Sequence, residues 1–132
     1  MDTFQLPADS LEYTVLVQIW ELGQVSVRDL HERIGVPAGT VYTTTAKVVD
    51  RLRDKGLIER IRVGGAFLYR PCVDRSRVEQ LRARTLLGRF LGQAPRAAAA
   101  ALVEAAADIE PRLIDELEQA IQKLRNENSD GA

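Results

Sequence analysis

The stretch that decides the fold is Thr40–Arg70, TVYTTTAKVVDRLRDKGLIERIRVGGAFLYR. Its first half has a helical period. Val41, Thr45, Val48 and Leu52 fall on one stripe, and Thr40, Thr44, Lys47 and Arg51 form a neighbouring stripe flanked by Thr43. This spacing predicts a helix over about 40–55, greasy on one side and lined with hydroxyls and then cations on the other. Gly56 stops it. The period then falls to two, with Ile58, Arg60 and Arg62 alternating against Leu57, Glu59, Ile61 and Val63. Gly64-Gly65 supplies the positive φ of a two-residue turn, and AFLYR returns as a second strand that Pro71 ends.

Two shorter helices precede this unit. Leu11, Val15, Ile19 and Leu22, widened by Leu16 and Trp20, make an amphipathic stripe that ends at Gly23, after a loose arm of ten residues in which Asp9 or Ser10 can cap. Ser26 caps SVRDLHERIG, with Val27, Leu30 and Ile34 on one face and Gly35 at its close. Three helices followed by a two-stranded hairpin is the order of a winged helix-turn-helix. An unrelated small α+β domain can share that order.

From Asp74 onward the chain reads as helical. Residues 75–91 carry Val78, Leu81 and Leu86 to one side, with Phe90 and Leu91 at the end, and Gly92 to Pro95 breaks the run. Residues 96–108 are alanine-rich, with Leu102 and Val103 to pack. After Pro111, the residues Ile114, Leu117, Ile121 and Leu124 form a seam two heptads long. Two heptads cannot hold a free coiled coil, but they suit one edge of an intertwined helical dimer, with Leu86 and Phe90 as further contacts. The expected class is therefore mainly α with a small hairpin. Residues 6–72 form the winged domain, 73–127 a helical dimerisation region and 128–132 a polar tail.

The 132 residues, 45% hydrophobic and 28% charged, suffice for a core without staples. A single cysteine, Cys72, excludes an internal disulfide and a cysteine-rich zinc site. A single histidine, His31, sits mid-helix beside Asp29, Glu32 and Arg33 and reads as solvated or partly packed. No phosphate-cradling glycine loop, metal-ligand spacing or nucleophile beside a base is visible, so we expect no enzyme, no cofactor and no metal. Neither a leader nor a run of 18 apolar residues is present, which points to a cytoplasmic protein with no membrane partner.

Net charge is −1, but its distribution is uneven. Residues 42–70 hold seven basic against three acidic side chains, whereas residues 1–41 hold two against six. Phosphate responds to local field, so a basic block inside a neutral chain can serve as a footprint for double-stranded DNA. In such a helix Thr40, Thr43 and Thr44 offer hydroxyls to DNA, with Thr43 and Thr44 at base edges, Tyr42 reaches a phosphate or a base, and Lys47 and Arg51 reach phosphates. Arg62 with Gly64 and Gly65 would bring the wing to the backbone or minor-groove edge.

LEYTVLVQIW, VSVRDLHERIG, YTT, RLRDKGLIER, the YRP at the hairpin's close, LLGRFLG and DELEQAI, in this order and spacing, resemble the penicillinase repressor family (BlaI/MecI/CopY-type) from about Leu6 to Arg125. The resemblance implies a bacterial cytoplasmic repressor whose winged helix reads a palindromic operator and whose last helices make the homodimer. It also implies that Tyr42, Thr43, Thr44, Lys47 and Arg51 belong to the recognition helix and Leu57 through Arg70 to the wing. Three features depart from the family pattern. Asparagine occurs only at 126 and 128 and phenylalanine only at 4, 67 and 90, so the Asn-Phe bond cut in the β-lactam branch is missing. The tail cysteines of the copper branch are missing too, and position 47 is lysine where threonine is frequent. Two further readings stand beside the repressor: a winged-helix protein-interaction module without DNA, and a repressor switched by a small ligand or by Cys72 oxidation.

Overall fold

The computed structural model describes residues 3–130. The first helix, α1 (Ser10–Leu22), starts at Asp9, whose carboxylate accepts the Glu12 N–H at 2.9 Å. It ends at Gly23, where φ is 81°. Ser26 caps α2 (Val27–Leu30) by accepting from the Asp29 N–H at 3.1 Å, and the chain then widens into one π-helical turn, His31–Gly35. The third helix is α3 (Tyr42–Asp54). The hairpin strands β1 (Ile58–Val63) and β2 (Ala66–Pro71) pair antiparallel, Ile58 opposite Pro71 and Val63 opposite Ala66. Val25 extends the sheet by one residue, exchanging N–H···O bonds of 3.0 and 2.8 Å with Tyr69. Three helices follow: α4 (Arg75–Leu91), α5 (Pro95–Ile109) and α6 (Arg112–Asp130).

The chain divides into two units between Ala83 and Arg84, inside α4. In the first, α1, α2, α3 and the hairpin bury one apolar cluster that includes Leu16, Ile19, Leu30, Leu52, Leu57 and Tyr69. Each fully buried leucine or isoleucine contributes roughly 1.5–3 kcal/mol. The unit extends past the hairpin because Val78 is fully buried in that cluster, Val73 packs on it, and the Trp20 indole N–H donates to the Val73 carbonyl at 3.2 Å. Arg82 also stacks over Tyr13 at 3.6 Å.

Four local expectations are revised. The arm before α1 is not loose: the Gln5 N–H donates to the Lys55 carbonyl at 2.9 Å, and Phe4 and Leu6 pack against the core. Helix α3 begins at Tyr42 rather than near Thr40, because Val41 has extended backbone (φ −83°, ψ 161°). Val41 therefore leaves the greasy stripe and is 65% exposed, while the adjoining Val49 is fully buried. At the other end α6 continues to Asp130, supported by a Gln122–Asn126 side-chain bond one turn apart, so the expected polar tail begins as helix. Its last residues, 131 and 132, lie outside the described residues.

The second unit contains the end of α4 with α5 and α6, and α5 packs against α6. Among its described residues none is buried. Leu86, Phe90, Leu102, Leu117, Ile121 and Leu124 are exposed in a single copy, and Ile114 is half-buried.

Candidate nucleic-acid interface

Helix α3 is held by its buried residues Thr45, Val48, Val49 and Leu52, which set its outward face. A helical period places Thr43 and Lys47 opposite that stripe, Thr44 and Arg51 along one flank, and Tyr42 on the other. Thr43, Lys47 and Arg51 are exposed, Thr44 is half-buried and Tyr42 is 49% exposed. Thr40 sits apart from the helix. Its hydroxyl donates to the Gly35 carbonyl at 3.0 Å, closing the turn between α2 and α3. The start of α3 carries no side-chain cap, since Val41 occupies the capping position.

The charge on this surface is narrower than the count of the basic block suggests. Lys55 is committed to Glu12 at 2.5 Å, and Arg70 is paired with Glu59 at 2.5 Å. Among the described residues, no ion pair engages Lys47, Arg51 or Arg53 (the Arg51 Nε–H donates weakly to the Lys47 carbonyl at 3.4 Å). Asp50 and Asp54 are exposed on the same outer side as Thr43 and Lys47, one and two turns beyond Lys47. The first half of α3 therefore carries Lys47 and no acidic residue, and its second half alternates in sign.

In the wing, Gly64 and Gly65 have φ of 58° and 85°, the two left-handed positions of a type I′ turn. A Cβ at either glycine would meet nothing within 4 Å, so backbone conformation rather than space selects glycine. Arg62 faces Phe67 across the hairpin. The Arg60 and Arg62 guanidiniums lie 4.3 and 5.5 Å from the Phe67 ring centroid, and the ring remains about half exposed. Phe67 and Arg60 lie within the expected wing but were not singled out from the sequence. Strand alternation and hairpin register carry the signal: they place Arg60, Arg62 and Phe67 on one face of the hairpin.

The remaining candidates have different roles. His31 shares a hydrogen bond with Thr45 and an edge contact with Tyr42, so of the two expected states it is the partly packed one, tied to α3. The Cys72 thiol donates to the Gly56 carbonyl at 3.2 Å; burial and then the Glu59 charge push its pKa up, against a backbone hydrogen bond that lowers it. The six dimerisation candidates all fall in the second unit, Leu86 and Phe90 on α4 and the other four on α6. Among the described residues no group of acids, histidine and cysteine is placed to hold a metal ion, and no helix is long and apolar enough to cross a membrane.

A sequence profile described as penicillinase repressor matches residues 9–123. Among solved structures, a multiple antibiotic resistance repressor, MarR, is similar at a TM-score of 0.50 and 15% identity, over 90% of this chain and 78% of that one. This likeness is one of fold. The PcaV transcriptional regulator from Streptomyces coelicolor, solved with its natural ligand, gives 0.48 at 24% identity over 80% and 79% of the two chains. A MarR family protein from Bacillus stearothermophilus gives 0.48 at 19% identity over 93% and 76%. No curated protein matches the chain.

Proposed function

Because the chain belongs to the penicillinase repressor family, whose members are winged helix-turn-helix transcription regulators and not enzymes, we propose that it is a homodimeric repressor that occupies a palindromic operator. The observation that carries this reading is the exposed first half of α3, where Tyr42, Thr43 and Lys47 stand clear of the core without an ion-pair partner among the described residues. In the major groove, Thr43 and Thr44 offer hydroxyls and methyls to base edges, Tyr42 reaches a base or phosphate, and Lys47 and Arg51 neutralise phosphates. Asp50 and Asp54 repel phosphate, so the helix enters with its N-terminal turns, and beyond Lys47 only its Arg51 flank stays near the backbone. Arg60 and Arg62, flanking Phe67, bring the wing to the neighbouring backbone, and Gly64-Gly65 keeps its tip narrow.

One such module makes few contacts, and a two-fold pair doubles them. Its half-site centres would lie one helical turn, about 34 Å, or a multiple apart. Support for a pair comes from the second unit, where Leu86, Phe90, Leu102, Ile121 and Leu124 stay exposed in one copy. Exposed apolar side chains in this number call for a partner, and an isologous second copy supplies matching residues. Repression then follows from occupancy of a site that polymerase needs.

Titration of the full chain against random duplex at two salt concentrations is the decisive experiment. A DNA binder loses about tenfold or more in affinity as salt rises, through counterion release. Absence of binding at both concentrations removes the reading in favour of a protein-interaction module.

A further inference from the structure

His31 opens the π-helical turn that ends α2, and it touches two residues one turn apart on α3. Its Nδ1 lies 2.8 Å from the hydroxyl of Thr45, which is buried in the core face of α3. Its ring meets Tyr42 edge-on, with centroids 5.4 Å apart and planes at 75°. The space for the imidazole is built into the backbone. A Cβ on buried Gly35 would collide with both His31 Nδ1 and Thr45 Oγ1, and the Gly35 carbonyl is the acceptor for Thr40 on the approach to α3. The wide π turn and the missing Cβ together let one side chain bridge a buried hydroxyl and an exposed phenol.

We propose that His31 is a positioning residue for operator recognition: anchored on Thr45, its ring fixes the orientation of Tyr42 and so sets which base pair Tyr42 accepts. This rests on the reading of α3 as the helix that enters the groove. Tyr42 lies in the first turn and is half exposed, so little else restrains its ring; an aromatic edge contact selects among its rotamers. A preorganised side chain discriminates between bases more sharply than a mobile one, because the wrong pair cannot be accommodated by rotation.

The test starts by selecting a duplex from a random pool with the wild-type full chain. Affinities are then measured for that duplex and its single-base-pair variants at fixed salt, with thermal melts to confirm folding. We expect His31→Ala to lower discrimination about two- to tenfold at the same base pair that Tyr42→Ala affects. Affinity for random duplex and the salt slope stay unchanged, and His31→Ala has no added effect on discrimination in the Tyr42→Ala background. His31→Phe, which keeps a ring but loses the bond to Thr45, falls between the wild type and His31→Ala. His31→Asn, which keeps a polar group toward Thr45 without the ring, loses discrimination, and these two variants decide the matter if His31→Ala is poorly folded. Intact discrimination in His31→Ala, or a loss equal at every base pair and additive with Tyr42→Ala, overturns the assignment alone. A wild-type chain that enriches no duplex removes the DNA reading and this assignment together.

Discussion

The Glu12 carboxylate and the Lys55 ammonium, 43 residues apart, meet at 2.5 Å and join the start of α1 to the end of α3. Glu12 is 1% exposed, and the same oxygen also accepts the Ala8 N–H at 3.3 Å. A buried carboxylate is tolerated only with its charge met, so this pair locks the helix proposed to read DNA onto the helix that carries the core. Lys55→Met leaves Glu12 uncompensated and is expected to cost about 3 kcal/mol in urea unfolding. Adding Glu12→Leu should recover much of that loss; a double variant no better than the single one would show that Lys55 acts by packing alone.

The division of labour on α3 is measurable by salt dependence. Lys47→Ala should weaken binding to every duplex and lower the salt slope by about one. Thr43→Ala should instead relax choice at one base position, by about 1–3 kcal/mol. Asp50→Asn should raise random-duplex affinity about two- to fivefold at low salt. Equal behaviour of all three variants would place α3 outside the interface.

Phe67 is predicted to act through the arginines that flank it. An exposed cation–π contact contributes about 0.5–1 kcal/mol, so Phe67→Ala should weaken duplex binding about two- to fivefold. The salt slope should not change, because both guanidiniums remain. Phe67→Trp should bind as well as the wild type. A changed slope would mean that the arginines had left the phosphates altogether.

In the second unit, Leu117→Arg should yield monomers by light scattering without lowering helix content. The side chain is 38% exposed in a single copy, and a long arginine can carry its charge out to solvent there. A dimer of unaltered size would move the interface away from α6.

Cys72 should be a slow nucleophile. With its pKa raised by burial and by Glu59, the reactive thiolate is scarcer near neutral pH than in a free cysteine. Alkylation by iodoacetamide should therefore be slow at pH 7.5 and keep rising beyond the ordinary thiol range, and Glu59→Gln should accelerate it. A rate that levels off below that range would restore Cys72 as a candidate redox switch.

The sequence by itself determined the order of elements, the buried stripes of α1 and α3, and the hairpin with its Gly64-Gly65 turn. Each is written in a period or a glycine pair whose consequence is confined to a turn of backbone. The outward hydroxyls and cations of α3 were legible for the same reason. The tertiary structure decided where α3 begins, since the Thr40 bond to Gly35 and the extended Val41 depend on how α2 ends. It also decided which cations stay available: Lys55 finds Glu12 at a sequence separation that no local pattern encodes, whereas the Arg70–Glu59 pair follows from the hairpin register. His31 is the clearest case: its neighbours in sequence are charged and solvated, but packing sets it against Thr45 and Tyr42 of another helix. Periodicity tells which side of a helix is buried, and only packing tells what that side is buried against.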